Sequence, residues 1–124
     1  VTQPLALLCY ERLLPGTQLV NRLQDLGYRV QTVQAVDELP LCTASWLPLI
    51  VFADLQVTRG DVCDALRRIR GNPATSHVPV LAFHSAEGAA LAEAAHEAGA
   101  TLVVQDTALL NHLPQLLSQA LEVD

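Results

Sequence analysis

The sequence predicts an α/β fold, a doubly wound sheet of five parallel strands, and three observations carry the prediction. Short apolar runs alternate with amphipathic stretches five times along the 124 residues. Right-handed crossovers between such strands give a parallel sheet covered by helices on both faces. The run Leu47-Pro48-Leu49-Ile50-Val51-Phe52-Ala53-Asp54-Leu55 is apolar almost throughout, as a strand buried on both faces requires, and it ends in one carboxylate. Open parallel sheets carry their chemistry beyond the C-terminal ends of their strands, which makes Asp54 the first candidate site residue.

Leu5 to Tyr10 reads as a buried first strand, followed by a loop from Glu11 to Pro15. A helix opens at Pro15-Gly16-Thr17 and runs to about Leu26, with Leu19, Val20, Leu23 and Leu26 on one face and Gly27 as its stop. Tyr28 to Val33 alternates partly between apolar and polar residues, which suits an edge strand. Val36 to Cys42 reads as a short helix weakened by Pro40. Trp46 to Ala53 is the central strand; Pro48 has no N–H to give, so regular pairing is expected after it. Beyond the loop Leu55–Gly60, Asp61 to Arg70 is a helix with Val62, Ala65, Leu66 and Ile69 on one face. Its charges match the macrodipole, and Arg67, Arg68 and Arg70 read as a solvated end stopped by Gly71-Asn72-Pro73. Val78 to Phe83 is the fourth strand, ending at His84-Ser85. Glu87 to Glu97 is an Ala-rich helix closed by Gly99, and Thr101 to Val104 is the fifth strand, ending at Gln105-Asp106. Leu109 to Leu121 is the last helix, interrupted near its start by Pro114.

With 51% hydrophobic and 16% charged residues, the chain reads as one folded domain over residues 1–124. No repeat, low-complexity tract or linker divides it. A net charge of −6 argues against a nucleic-acid surface, which needs clustered cations. No apolar run reaches the roughly 20 residues that span a bilayer, and the start lacks the pattern of a signal peptide. The missing initiator Met points to a processed chain or an excised domain. Cys9, Cys42 and Cys63 are odd in number and widely spaced, as reduced thiols of a cytoplasmic protein are, and form neither a disulfide frame nor a CxxC metal site.

Four stretches together resemble the receiver domain of bacterial response regulators over nearly the whole chain: Leu49-Ile50-Val51-Phe52-Ala53-Asp54-Leu55, Leu66-Arg67-Arg68-Ile69-Arg70-Gly71-Asn72-Pro73, Val78-Pro79-Val80-Leu81 and Ala98-Gly99-Ala100. The resemblance implies the flavodoxin-like strand order 2-1-3-4-5. It also implies that Asp54 stands where the family accepts a phosphoryl group from a histidine kinase. The remainder of the family's site departs from the pattern. Cys9 and Tyr10 stand where two acidic residues hold Mg²⁺, His84 where the fourth strand ends in Thr or Ser, and Asp106 where the fifth ends in Lys. Thr58 replaces the Pro of the loop after the acceptor, and Val103 falls on the aromatic switch position.

Transfer of a phosphoryl group to a carboxylate brings two anions together, and a divalent cation and a Lys normally neutralise that charge. Magnesium is a hard cation that prefers carboxylates, so a thiol and a phenol beside Asp54 are poor ligands. Glu11 could replace them only if the first strand slipped by one residue, which would turn its side chains over. Asp106 adds negative charge two strands away, about 10 Å off at the backbone and too far for a short side chain. The expectation is a pseudo-receiver: not an enzyme, without cofactor, in which Asp54 is a relic. It would act in a two-component system through a protein partner, a histidine kinase or an output domain, with no role for nucleic acid or membrane. The alternative is a true receiver phosphorylated on Asp54 with Mg²⁺.

His84 reads either as a partner of Asp54 from the neighbouring strand or as a polar residue facing the loop cleft. Cys9, Asp54, His84 and Asp106 share one sheet edge, with the donor types of a transition-metal site or a Cys–His nucleophile pair. The span of about 14 Å from the first to the fifth strand argues against a single ion, so no metal ligand is assigned. In receivers the face of the fourth helix, fifth strand and fifth helix often carries dimer and output contacts. Leu91, Val103 and Leu110 are its candidates here for a partner or a homodimer, and core packing accounts for them equally well.

Overall fold

The computed structural model describes residues 3–58 and 60–122. Five strands, β1 (Leu5–Cys9), β2 (Arg29–Val33), β3 (Ile50–Asp54), β4 (Val80–His84) and β5 (Leu102–Gln105), form one parallel sheet in the order β2-β1-β3-β4-β5. Among the described residues, six α-helices flank it: α1 (Leu13–Asp25), α2 (Leu39–Trp46), α3 (Val62–Gly71), α4 (Ala92–Ala98), α5 (Asp106–Asn111) and α6 (Leu113–Glu122). The order expected from the resemblance is the order found, with β2 at one edge and largely exposed. Among the described residues no helix is long and apolar enough to cross a membrane.

Alternation along the strands divides the core into two layers. Leu7, Cys9, Val51, Ala53, Val80 and Ala82 face α2, α3 and α4. Ala6, Leu8, Ile50, Phe52, Leu81 and Phe83 face the other way, against α1, α5 and α6. Asp54 continues the series Ile50, Phe52, so its carboxylate points toward α1 and α5.

Several boundaries differ from the sequence reading. Helix α1 starts at Leu13, two residues before Pro15, because a proline in the first turn removes an N–H that has no partner there. Pro40 is accommodated in the same way at the start of α2, which follows a 3₁₀ turn (Val36–Glu38) and extends to Trp46. Trp46 therefore belongs to a helix, not to β3. Leu47 takes a left-handed conformation (φ 45°), and the ladder begins at Leu49, whose N–H donates to the Leu5 carbonyl at 2.8 Å. Leu109–Leu121 is two helices broken at His112, and Pro114 falls in the first turn of the second. The Ala-rich stretch expected as one helix begins instead with six residues of 3₁₀ helix, Ala86–Leu91.

At the N-terminal end of the sheet, Arg70 is not solvated as its position suggested. Its guanidinium donates to the carbonyls of Gly99 (2.7 Å), Ser76 (2.9 Å) and Val78 (2.6 Å) and to Thr101 Oγ1 (2.9 Å). The Gly99 backbone lies so close that a Cβ there would collide with Arg70 Cγ, and its φ of 114° disfavours any other residue.

Candidate functional site

At the opposite end of the sheet, Asp54 is the buried acid: 1% of the residue is exposed, and none of its side chain. Its partner is a residue the sequence reading did not single out. Arg12 immediately precedes α1, and the pleat aims Asp54 at that helix. Arg12 Nε donates to Asp54 Oδ2 at 2.8 Å and Nη2 donates to Oδ1 at 3.0 Å, a fork-on-carboxylate pair. The third nitrogen, Nη1, donates to Asp106 Oδ2 at 3.3 Å. Asp106 opens α5 directly after β5 and lies on the same side of the sheet as Asp54. The backbone N–H of Gln56 completes the shell of Asp54 at 3.0 Å.

Arg12 thus spans the gap that a short Asp cannot cross. The hydrogen bond to Asp54 pushes the guanidinium further up from its ordinary value, desolvation opposes it, and the charges of Asp54 and Asp106 add to the rise. The cation is therefore permanent at any pH at which the protein is folded. The acidic rim has not lost its positive charge; an arginine supplies it from within the chain.

The other residues singled out by sequence do not gather around Asp54. Cys9 pairs with Ala53 across the ladder and faces the α2–α3–α4 layer, on the other side of the sheet. Burial pushes its thiol up to about 12, with the charges of Glu11 and Asp54 adding, so near neutral pH it is an uncharged, apolar-like group in the core. Tyr10 lays its ring over Gly16, where a Cβ would run into it. His84 follows Val80 and Ala82 in the pleat, which turns it from Asp54; its Nδ1 donates to the Ser85 carbonyl at 2.7 Å. The pairing of His84 with Asp54 does not occur. Glu11 does not replace a metal ligand by a register slip. The register is regular, and Glu11 Oε1 accepts from the Thr58 N–H (2.9 Å) and hydroxyl (2.8 Å), tying the loop after β1 to the loop after β3.

Leu91, Val103 and Leu110 are dispersed as well. Leu91 is 41% exposed and lines a groove with Leu55, Val57 and Val62 beside the start of α3. Val103 is half-buried in the α2–α3–α4 layer and Leu110 in the α1–α5–α6 layer.

A signal for Arg12 did exist. Its partners are 42 and 94 residues away, so no spacing links them. The chain, however, has no Lys at all among its seven basic residues, and Arg12 is the first of them, just past the strand end that shares a rim with Asp54.

No family model matches the chain, and no curated protein matches it. Solved structures do. The receiver domain of the sensor histidine kinase PA1611 from Pseudomonas aeruginosa, described with a magnesium ion in its active-site cleft, superposes with a TM-score of 0.87 at 20% identity, over 98% of this chain and all of that one (100%). The receiver domain of NtrX from Brucella abortus gives 0.81 at 21% identity, covering 96% of this chain and 99% of its own. A LuxR-family two-component response regulator from Aurantimonas gives 0.80 at 23%, covering 97% and 86%.

The residues present here do not fit the magnesium ion that this fold implies. Both oxygens of Asp54 and one of Asp106 are engaged by Arg12. Cys9 faces the wrong layer, Tyr10 is a phenol turned onto Gly16, and among the described residues no three His, Cys, Asp or Glu side chains are grouped to hold a metal. The chain has the fold of response-regulator receiver domains, with an arginine seated on the acid at its rim.

Proposed function

We propose that this domain is a receiver-like module of two-component signalling that acts by protein contact, without Mg²⁺-dependent phosphorylation, its acceptor aspartate being held in an intramolecular ion pair. The observation that carries the reading is the bidentate Arg12–Asp54 pair, extended to Asp106. Both oxygens of the carboxylate already accept from the guanidinium, which neutralises its charge and stands between it and an incoming phosphorus. Freeing it means leaving a buried charge without its counterion. The module performs no chemistry of its own in this reading. Its partner is a protein, a histidine kinase or an output domain, and a second copy of the chain is a further candidate.

The same pair favours a second reading. A guanidinium fork fits phosphoryl oxygens as well as carboxylate oxygens. If Arg12 released Asp54, it would be placed to neutralise an aspartyl phosphate that lacked both Mg²⁺ and Lys. Incubation with acetyl phosphate, with and without Mg²⁺, followed by intact-mass measurement, separates the two. The first reading expects the unmodified mass in both. A stoichiometric phosphoryl adduct that disappears in Asp54→Ala overturns it.

A further inference from the structure

The segment Ala86–Leu91 is wound against its own sequence. Six residues of 3₁₀ helix are unusual, because the tighter winding aligns its hydrogen bonds poorly. Apart from Gly88, the residues are Ala, Glu and Leu, all strong α-formers, and they run on into Ala92–Ala98, which is Ala and Glu apart from His96. The start signal for a helix is also in place: Ser85 is extended, and its side-chain oxygen accepts from the Glu87 N–H at 3.2 Å. Something outside the segment therefore holds the 3₁₀ form.

Gln56 is that contact. Its Oε1 accepts from the Ser85 N–H, and its side chain crosses so close to Gly88 that a Cβ there would lie 2.7 Å from Gln56 Cδ. The backbone N–H of the same residue donates to Asp54 Oδ1, the oxygen that also accepts from Arg12 Nη2. One residue thus joins the ion pair at the end of β3 to the segment after β4.

We propose that Ala86–Leu91 is a two-state element: 3₁₀ while Arg12 holds Asp54, and α-helical, continuous with α4, when that pair opens, with Gln56 as the link. Reorienting the Asp54 carboxylate removes the acceptor of the Gln56 N–H, the loop after β3 shifts, and Gln56 withdraws from Ser85 and Gly88. Six residues passing from about 2.0 to about 1.5 Å of rise per residue shorten by about 3 Å. The change from 3.0 to 3.6 residues per turn accumulates about 120° of rotation, which re-aims the outer face of the segment beside the Leu91 groove.

The inference rests on Arg12 being the resting partner of Asp54, and the test separates the two claims. The whole chain, isotopically labelled and free of Mg²⁺, is followed by NMR as wild type, Gln56→Ala and Arg12→Gln. Wild type is expected to give the (i,i+2) Hα–HN contacts of 3₁₀ helix across Ala86–Leu91. Gln56→Ala leaves the ion pair intact and is expected to replace them with (i,i+4) contacts continuous into α4. It should also speed exchange of the Ser85 amide roughly tenfold through loss of its acceptor. Arg12→Gln should give the same conversion. Retention of the 3₁₀ pattern in Gln56→Ala overturns the proposal, even if Arg12→Gln fails to fold. Conversion in Gln56→Ala but not in a folded Arg12→Gln overturns the coupling to Asp54.

Discussion

Removing the Arg12 guanidinium is the most demanding test of how this site is held. In Arg12→Ala, Asp54 Oδ2 loses its 2.8 Å bond and Oδ1 keeps only the Gln56 N–H, while the side chain remains wholly buried. Breaking a buried pair by deleting one member costs about 3–5 kcal/mol. The Arg12 side chain is 28% exposed, so solvent already weakens the pair, and a loss of ~2–4 kcal/mol is the reasoned value. The 3.3 Å contact with Asp106 adds little. In urea, with a slope of ~1.5 kcal/mol/M, a loss of about 3 kcal/mol lowers the unfolding midpoint by ~2 M. Asp54→Asn removes the stranded charge, so the double variant should be more stable than Arg12→Ala alone, with a coupling energy of about 2 kcal/mol in the cycle. A single-variant loss under about 1 kcal/mol together with a coupling under about 0.5 kcal/mol would mean that the pair does not hold the rim.

Other expectations follow from the same geometry. The Cys9 thiol, raised from 9.0 to about 12, gives stability that is complete below pH 9 and lost as pH climbs toward 12. The unfolded chain gives up that proton first, so the loss is about 1.4 kcal/mol per pH unit. Urea midpoints from pH 8.5 upward, compared with Cys9→Ala, isolate this slope from the like-signed shifts of Cys42, Cys63 and Tyr28. Arg70→Lys keeps the charge but not the fork, and should cost about 2–3 kcal/mol by calorimetry because several backbone carbonyls lose their donor. Tyr10→Asp combined with Arg12→Ala puts a second carboxylate near an unclamped Asp54, and titration calorimetry should then show heat with millimolar Mg²⁺ where wild type shows none.

Much of the fold was legible because burial on both faces leaves long apolar runs, and β1, β3 and β4 are such runs. Ends were harder: Pro40 and Pro114 read as breakers and Pro15 as the helix start, yet all three lie within first turns, where a missing N–H does no harm. Asp54 was readable as an acid closing an apolar strand. Its surroundings were not, because a strand's pleat decides which rim residues share a side. Cys9 and His84 are near neighbours in topology and still turn away, whereas Arg12 and Asp106 converge from remote parts of the chain. Asp106 does stand where the family has Lys, but that reading overlooked Arg12, a guanidinium long enough to cross between strands. The 3₁₀ winding of Ala86–Leu91 had no local trace, since it is imposed by Gln56 from another loop.

The Arg70 clasp gives the molecule two unlike ends. Below, one guanidinium gathers the last turn of α3, the entry to β4, the close of α4 and the entry to β5 onto a common anchor. Loops above can then rearrange without loosening the strands that carry them. A rearrangement confined to the upper rim leaves all four of these lower contacts in place.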